Sequence, residues 1–426
     1  MRVERFVFPI IRQVVARPRL ADALFRWDRW GNQLGPDRYS WPYPGFERIR
    51  ADGPVAWHRL YNSWFVTGYN EARELLSHPN AIVEPQRELL FEVPPYTKLS
   101  PRATEVVTQF LLLVDPPMHT RLRALVSRAF TPRQVERIRP AATAIVSDLL
   151  DAVADDPEPD LFTALCQPLP VQVISELIGV PRDRWAWLQE CSSSMVKILN
   201  PFVAFDPLEV SETVADFDAY FRELAAERRA QPTEDLLSAL VEAEADGDRL
   251  SEDELVSMVA FLLFAGYETT MGLIGTSLVA LARHPEQRAR LMAEPDLWSS
   301  AIEELVRWDP TVQSDPRSVS VDTEVGGVTI KAGQSINVFL GAVNRDPQVF
   351  SDPNELRLDR NEAPPLSFGH GIHYCIGASL ARMELQAALD AVLDRFGAYT
   401  IDESRIEWVP SLVTRGPRVL PVRAVT

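Results

Sequence analysis

Cysteine is scarce in this 426-residue sequence, which contains only Cys166, Cys191 and Cys375 and no CxxC pair. Three thiols are too few to build a disulfide framework. Their spacing from one another and from the histidines also does not fit a zinc site. The low cysteine content therefore indicates a protein of a reducing compartment, and we predict a cytoplasmic location.

Basic residues are also few relative to acidic ones. The sequence has 43 Lys and Arg against 60 Asp and Glu, which gives a formal net charge of -17. A protein that binds a phosphate backbone without sequence preference needs a basic surface. The charge balance therefore argues against a nucleic-acid partner.

Long apolar runs are missing from the N-terminal region. The run over residues 6–11 is interrupted by Pro9, whereas a membrane-spanning helix needs about 20 apolar residues. The run is also short for the apolar core of a signal peptide, and no cleavage pattern follows it closely. We predict that the protein has neither a transmembrane segment nor a signal peptide.

Helical periodicity is what the sequence has in abundance, from Met118 to about His284. The longest predicted helix starts at Ser251, where Glu254 three residues later completes a capping box. About 30 residues of helix span about 45–50 Å. Because residues 256–264 are apolar nearly all round, this helix should run through the centre of the protein rather than over its surface.

The remaining segments complete the predicted architecture. Residues 63–67 and 323–339 have strand signals, with glycine turns between them. Residues 81–110 contain Pro94-Pro95 and predict a long binding loop. We predict a mainly α protein with small β-sheets and a long central helix. Residues 43–426 should form one large domain, on which residues 1–42 dock as an N-terminal extension.

The strongest chemical signal is Phe368-Gly-His-Gly-Ile-His-Tyr-Cys-Ile-Gly377. Cys375 follows a tight glycine turn and precedes a long helix, whose N-terminal dipole should lower the pKa of the thiol. Gly371 and Gly377 lack a Cβ atom, so the backbone can approach a flat ligand closely. Phe368 can shield the sulfur from water. A buried free cysteine is the alternative interpretation, and the flanking pattern argues against it.

This segment resembles the haem-binding loop of cytochrome P-450 enzymes, in which a cysteine thiolate holds the haem iron. The resemblance implies the cytochrome P-450 fold and haem b as cofactor, with Cys375 as the iron ligand. It also implies that His373 pairs with a haem propionate. The residues of this loop that we expect to contact haem are Phe368, Gly369, His373 and Gly377.

A second motif, Ala265-Gly-Tyr-Glu-Thr-Thr270, is a polar cluster inside the apolar central helix. Gly266 weakens a helix by about 1 kcal/mol relative to Ala, and the Thr269 hydroxyl can bond back to a carbonyl and distort the helix. By resemblance, Ala265 and Gly266 contact haem, while Glu268 and Thr269 relay protons to dioxygen. The alternative is a solvent-facing Glu beside a Thr kink. Tyr267 is bulkier than usual for the family and either narrows the pocket or faces another helix.

A third motif is Glu304-Leu-Val-Arg307, whose ends share a helix face and by default form a surface ion pair. The Asn344-Arg-Asp-Pro347 segment and Arg360 follow at the order and distance found in the family. The resemblance therefore implies that Glu304, Arg307 and Arg360 hold the cysteine loop in place and so retain haem.

Three further cations match the family's propionate-binding positions. His119 and Arg123 lie four residues apart on one predicted helix face and can both reach one anion. Arg317 occupies the third position. Singly, each would be a solvated charge. Haem carries two carboxylates whose charge must be neutralised on burial, so the convergence of several cations makes physical sense.

The resemblance implies a monooxygenase that inserts one oxygen atom from dioxygen into an organic substrate by hydroxylation or epoxidation. Mostly apolar walls predict a hydrophobic substrate, and the wall residues implied are Leu262, Val312, Gln313, Leu412 and Val413. A peroxide-driven peroxygenase is one alternative, but such enzymes replace the acid–alcohol pair. A catalytically silent haem-binding or docking module is another, although such modules tend to lose the motifs present here.

The sequence contains no flavin or dinucleotide glycine fingerprint. By resemblance, electrons from NAD(P)H should arrive through a separate ferredoxin reductase and ferredoxin, and we expect a monomer. Six arginines between residues 121 and 139 form a basic cluster that could steer an acidic ferredoxin. A solvated helix face without a partner is the alternative. The six residues are Arg121, Arg123, Arg128, Arg133, Arg137 and Arg139.

Overall fold

The structure is a computed structural model that describes residues 39–425, except for residues 60, 93, 200–203, 246 and 412. Most of the predicted extension, residues 1–38, therefore lies outside the described residues. Its last residues contact the body of the protein, because the Arg415 guanidinium donates hydrogen bonds to the carbonyl oxygens of Tyr39 and Ser40. The Trp41 ring packs edge-on against Tyr43 at 4.6 Å between centroids.

Helices make up most of the described chain. The first seven are α1 (Tyr43–Arg50), α2 (Tyr69–Ser77), α3 (Glu84–Phe91), α4 (Pro101–Thr108), α5 (Met118–Ala129), α6 (Pro132–Asp151) and α7 (Pro168–Ile178). The next four are α8 (Trp185–Leu199), α9 (Pro207–Ala230), α10 (Leu236–Glu242) and α11 (Glu252–Arg283). The last four are α12 (Pro285–Ala293), α13 (Trp298–Trp308), α14 (Leu340–Val343) and α15 (Ala378–Phe396).

The strands are short and lie mainly near the two ends of the described chain. They are β1 (Val55–His58), β2 (Ser63–Val66), β3 (Ala81–Ile82), β4 (Glu244–Ala245), β5 (Asp248–Arg249), β6 (Asp315–Val319), β7 (Thr323–Val325), β8 (Val328–Ile330), β9 (Ser335–Val338), β10 (Tyr399–Ile401), β11 (Glu407–Trp408), β12 (Pro417–Val419) and β13 (Val422–Ala424). The largest sheet has the order β1-β2-β9-β6-β3. Only the β2–β9 pair in it is parallel. The mainly α architecture with small sheets agrees with the prediction.

The central helix α11 begins as predicted. The Ser251 side chain accepts a hydrogen bond from the Glu254 backbone N–H, and the Glu254 carboxylate accepts one from the Ser251 N–H. Its 32 residues are buried along most of their length and contribute to the main hydrophobic core. Among the described residues, α11 is the one helix long and apolar enough to cross a membrane, and 83% of its most apolar window is buried inside the protein. It is therefore the core helix of one domain.

The prediction of a long loop over residues 81–110 is wrong. This segment contains strand β3 and helices α3 and α4. Pro85 and Pro101 stand in the first turns of the two helices, where an N–H donor is not needed and the fixed proline φ favours helix. The Ser100 side chain caps α4 by accepting a hydrogen bond from the Ala103 N–H at 3.2 Å. The Pro94-Pro95 pair, on which the loop prediction rested, lies between the two helices.

Candidate active site

Cys375 lies in a tight loop between a short helical turn, Gly371–His373, and helix α15. Its backbone N–H donates to the Phe368 carbonyl at 2.9 Å, which folds the loop back on itself. Gly369 and Gly371 have φ of +71° and +72°, a conformation that glycine adopts without strain. A Cβ on Gly371 would also lie 2.4 Å from the Leu76 carbonyl oxygen. Gly371 is therefore required for packing against α2 rather than for approach to a ligand.

The Cys375 thiol lines a cavity of about 320 Å³, together with Phe368, Gly369 and Gly377. Burial raises the pKa of the thiol, and the Gly377 N–H and the guanidinium groups of Arg123 and Arg382 oppose this rise. The prediction of a lowered thiol pKa is therefore wrong for the free side chain. Helix α15 begins at Ala378, and the N–H of its N-cap residue, Gly377, lowers the thiol pKa by less than burial raises it. A coordinating cation, which deprotonates a thiol, would supply the missing stabilisation.

The wall that α11 contributes to the same cavity carries the second motif. Ala265, Gly266 and Thr269 all line it. A Cβ placed on Gly266 would meet nothing within 4 Å, so this glycine faces open space. The Thr269 hydroxyl donates to the Ala265 carbonyl at 2.5 Å, the local back-bond that the sequence predicts. Cys375 and Thr269 thus belong to one cavity although 106 positions separate them in the numbering.

Glu268 is adjacent to Thr269 but does not line the cavity. Its Oε1 accepts a hydrogen bond from the Thr414 hydroxyl at 3.0 Å. Burial raises the pKa of Glu268 to about 6, and the hydrogen bond from Thr414 and the charge of Arg418 act in the opposite direction. Sequence reasoning missed Thr414, because no local pattern connects it to a residue 146 positions away.

Tyr267 turns away from the cavity. Its hydroxyl accepts a hydrogen bond from Gln167 Nε2 at 3.1 Å and shares another with Ser193 Oγ at 3.0 Å. Ser193 belongs to α8. Of the two interpretations that the sequence left open, the structure supports the one in which Tyr267 faces another helix.

The predicted propionate-binding side chains converge at one side of the cavity. His119, Arg123, Arg317 and His373 all line it. The two imidazole rings are 4.4 Å apart between centroids. Both ring nitrogens of His119 and Nε2 of His373 are buried, and within the described part of the chain they have no hydrogen-bond partner.

The electrostatics of this cluster are unbalanced without an anion. Burial lowers the pKa of His373 to about 3, and Arg317, His119 and Arg123 lower it further. Burial also lowers the pKa of His119, with further lowering by Arg123 and Arg317 that Asp115 partly opposes. Arg317 forms an ion pair with Asp315, whereas Arg123 forms none with a described residue. The orphaned imidazole nitrogens and the unpaired Arg123 guanidinium beside a buried thiol fit haem, whose two carboxylates would accept hydrogen bonds from them.

Glu304, Arg307 and Arg360 form a buried cluster. The Arg307 guanidinium donates to Glu304 at 2.6 and 2.9 Å. Nε of Arg360 donates to the same carboxylate at 3.1 and 3.2 Å. Arg307 also donates to the Asn344 carbonyl at 2.8 Å. The default interpretation of Glu304 and Arg307 as a surface ion pair is therefore excluded.

Asn344 connects this cluster to the cysteine loop. Its Oδ1 accepts from the Leu366 N–H at 2.8 Å, and its Nδ2 donates to the Ser367 hydroxyl at 2.7 Å. Leu366 and Ser367 directly precede Phe368, which lines the cavity. A continuous set of hydrogen bonds thus leads from Glu304 to the segment that carries Cys375.

Only some of the residues predicted to form the substrate-binding wall line the cavity. Leu262 and Val312 line the cavity, whereas Gln313 and Val413 do not. Successive side chains of an extended segment point to opposite sides, so Gln313 turns away and donates to the Pro310 carbonyl at 2.6 Å. Its backbone N–H donates to the Val413 carbonyl at 2.8 Å. The fifth predicted residue, Leu412, lies outside the described residues.

Sequence reasoning missed much of the apolar lining. These residues come from elements far apart in the chain, so a single segment does not reveal them. The apolar triplet Leu111–Leu113, just before the motif that contains His119, was the one local signal. The missed apolar residues include Leu111, Leu112, Leu113, Phe130, Ile174, Phe261, Leu273, Val306, Leu340 and Leu380. Val83, which also lines the cavity, lies in the segment 81–110 that was predicted to serve binding.

The arginine cluster of residues 121–139 is less basic than its sequence suggests. Three members form ion pairs: Arg121 with Asp248 and Glu254, Arg137 with Glu234, and Arg139 with Glu136. Arg123 lines the cavity. Arg128 and Arg133 are exposed and form no ion pair with a described residue. Arg128 and Arg133, which precede and follow the cavity-lining Phe130 in the sequence, are therefore the two exposed arginines of the cluster without an acidic partner among the described residues.

Comparison with known proteins gives consistent matches along the chain. The family model described as Cytochrome P450 matches residues 188–413. Cytochrome P450 monooxygenase PikC of Streptomyces venezuelae is 38% identical over 92% of this chain and 92% of its own length. The 6-deoxyerythronolide B hydroxylase of Saccharopolyspora erythraea is 36% identical over 89% of this chain and 95% of its own length.

A solved structure shares the fold. The crystal structure of P450BioI in complex with hexadec-9Z-enoic acid ligated acyl carrier protein matches with a TM-score of 0.83. The sequence identity is 32%, and the match covers 91% of this chain and 99% of that chain. Identity at this level over nearly complete chains extends the likeness well beyond the motifs.

Proposed function

The chain belongs to the cytochrome P450 family of monooxygenases, and on that premise we propose which reaction it catalyses and which residues take part. It inserts one oxygen atom from dioxygen into a hydrophobic small molecule by hydroxylation or epoxidation. The observation that carries this proposal is the cavity in which the Cys375 thiol and the Thr269 hydroxyl both lie among mainly apolar side chains.

The haem site is the first part of the proposal. Cys375 would hold the iron through its thiolate sulfur, and His119, Arg123, Arg317 and His373 would hold the two propionates. Haem bound through a thiolate would supply the iron chemistry that favours cleavage of the O–O bond. The unpaired Arg123 guanidinium and the unpaired imidazole nitrogens support this assignment, and so does the missing Cβ of Gly266.

Proton supply is the second part. The Thr269 hydroxyl lines the cavity and delivers protons there. Glu268, which does not line the cavity, supplies protons to Thr269. A carboxyl with a pKa of about 6 changes its protonation state readily near neutral pH, which suits general acid–base work. The presence of this pair argues against the peroxygenase and the silent haem module that the sequence left as alternatives.

The substrate and the electron donor are the third part. The apolar lining favours a hydrophobic compound. Two similar proteins support that class: the 6-deoxyerythronolide B hydroxylase, and P450BioI, which was solved with an acyl carrier protein that carries hexadec-9Z-enoic acid. Electrons from NAD(P)H reach the enzyme through a ferredoxin reductase and a ferredoxin. The exposed basic pair Arg128 and Arg133 is a suitable contact for an acidic ferredoxin.

Isotope labelling tests the proposed reaction. The haem-loaded protein, a ferredoxin, its reductase and NADH are incubated under ¹⁸O₂ with hydrophobic compounds selected by a spectral binding screen. The proposal expects a product that contains one ¹⁸O atom per molecule and no product without the ferredoxin. Product formed only with added hydrogen peroxide would establish the peroxygenase instead.

A further inference from the structure

The Glu268 carboxylate has its hydrogen-bond partner on the side away from the Cys375 cavity. Successive residues on a helix point about 100° apart, so Thr269 faces the cavity while Glu268 reaches the segment before β12. The contact there is the hydrogen bond donated by the Thr414 hydroxyl at 3.0 Å. Thr414 is held in place by a β-bridge to Val312, a residue of the cavity wall.

A second hydroxyl continues the chain beyond Thr414. Thr414 Oγ1 and Ser411 Oγ are 3.4 Å apart. Ser411 Oγ also accepts hydrogen bonds from the backbone N–H groups of Val413 and Thr414, each at 3.1 Å. The Thr414 hydroxyl donates across this longer distance as well, so its hydrogen is shared between Ser411 Oγ and the nearer Glu268 Oε1. These contacts hold the Thr414 hydroxyl beside the carboxylate.

The outer end of this chain lies close to the surface. Ser411 and Thr414 are buried, but Pro410, directly before Ser411, is exposed. Arg418 is also exposed and lies near enough to lower the pKa of Glu268. The two described groups that act on the Glu268 carboxylate, Thr414 and Arg418, thus both belong to the segment at β12.

We propose that Thr414 is the positioning residue for proton supply by Glu268. Its hydroxyl donates to Oε1 and so holds the carboxylate, which is next in the chain to the cavity-lining Thr269, in one orientation. The Glu268 carboxylate takes up a proton from solvent, becomes a neutral acid and releases the proton toward Thr269, so the carboxylate is regenerated in each cycle. This role deepens the proposed function and rests on it.

The test uses the haem-loaded protein with its electron donors and compares Thr414→Val, which removes the hydroxyl at nearly constant shape, with Thr414→Ser, which keeps it. Thr414→Val should lower product formed per NADH consumed about tenfold and raise the solvent isotope effect on turnover. Thr414→Ser should stay within about twofold of wild type. Ser411→Ala should fall between them.

A direct readout of Glu268 accompanies the activity measurement. The infrared band of its protonated carboxyl is assigned by its loss in Glu268→Gln and is titrated with pH. Loss of a donor to the carboxylate disfavours the charged form, so Thr414→Val should move the titration midpoint upward from that of the wild type. Thr414→Ser should leave the midpoint in place.

The matched control is Thr276→Val on helix α11, the helix that also carries Glu268. Thr276 is equally buried and donates to the Asp309 carbonyl at 3.0 Å, but it lies outside the cavity lining. An equal loss of product per NADH in Thr414→Val and Thr276→Val, or in Thr414→Val and Thr414→Ser, would overturn the role proposed for Thr414. So would an unchanged Glu268 titration in Thr414→Val. A wild-type protein that forms no product refutes the proposed function instead, and the titration then still decides whether Thr414 acts on Glu268.

Discussion

The Arg307 guanidinium donates two hydrogen bonds to the Glu304 carboxylate, at 2.6 and 2.9 Å, and both side chains are almost fully buried. Removal of one partner strands a charge in the protein interior, which costs about 3–5 kcal/mol. Because the cluster continues through Asn344 to the cysteine loop, we expect Glu304→Ala and Arg307→Ala to yield mainly haem-free, poorly soluble protein. Haem content per chain and melting temperature are the measurements.

The control for this prediction is Glu136→Ala. Glu136 and Arg139 have the same three-residue spacing and a contact of 2.9 Å, but both side chains are exposed. Exposed pairs of this kind contribute little to stability, so melting temperature and haem content should hardly change. Normal haem content in both Glu304→Ala and Arg307→Ala would show that the cluster does not retain haem.

Loss of the Thr269 hydroxyl should uncouple electron use from product formation. Thr269→Ala should bind haem and substrate nearly as the wild type does, because its hydroxyl bonds only to the Ala265 carbonyl among the described groups. Electrons should then appear as hydrogen peroxide, measured against NADH consumed. Thr269→Ser keeps the hydroxyl and should restore coupling, and Glu268→Gln should slow turnover without loss of haem. Wild-type coupling in both Thr269→Ala and Glu268→Gln would end the relay assignment.

Electron transfer from an acidic ferredoxin should depend on ionic strength. The Debye length falls from about 10 Å at 0.1 M salt to about 3 Å at 1 M, so transfer of the first electron should slow as salt is added. Arg128→Glu and Arg133→Glu should slow it further at low salt. Arg423→Glu makes the same charge change at an exposed residue of β13 and should have a smaller effect. A rate independent of salt and unchanged in the first two variants would locate docking elsewhere.

Glu384 should make the stability of the protein depend on pH. Its carboxyl is buried in α15, its Oε2 has no hydrogen-bond partner among the residues described, and burial raises its pKa well above the usual value. The folded state therefore holds a proton that the unfolded state releases above pH about 4.5. Stability should fall by up to about 1.4 kcal/mol per pH unit between the unfolded and folded pKa values.

Glu384→Gln removes this titration while nearly preserving shape. The melting temperature of the variant should exceed that of the wild type by an amount that grows from pH 5 to pH 8. The comparison is Asp390→Asn on the same helix, an exposed acid whose pKa desolvation and Asp394 raise, and it should show a smaller change. A difference for Glu384→Gln that stays constant with pH would mean that the carboxyl is already ionised in the folded protein.

Local signals made much of the fold predictable. The start of α11 depends on a capping box of four adjacent residues, and the continuous apolar stretch that follows indicates a buried core helix. The segment with Cys375 is equally local, since its turn depends on glycines at neighbouring positions. Helices α3 and α4 were missed because the Pro94-Pro95 break between them was extended to the whole segment 81–110, whereas each helix has only eight residues and shows little periodicity.

Contacts between distant elements were beyond sequence reasoning. The Thr414–Glu268 hydrogen bond joins residues 146 positions apart, and no periodicity relates them. Val312 and Gln313 were both assigned to the pocket, but only Val312 lines it. The sequence does not show which side chain of an irregular extended segment faces the pocket. The lowered thiol pKa was predicted from the N–H groups and the dipole at the start of a helix, whereas desolvation of the Cys375 side chain is the larger effect.

The ligation of haem by Cys375 is the central claim, and the spectrum of the reduced protein under carbon monoxide tests it most directly. A thiolate ligand should produce a strongly red-shifted Soret band. Cys375→His should abolish that shift. Cys166→Ala and Cys191→Ala should retain it, because both of these thiols are buried away from the cavity. A red-shifted band that survives in Cys375→His, or that is lost in either of the other two variants, would contradict the account.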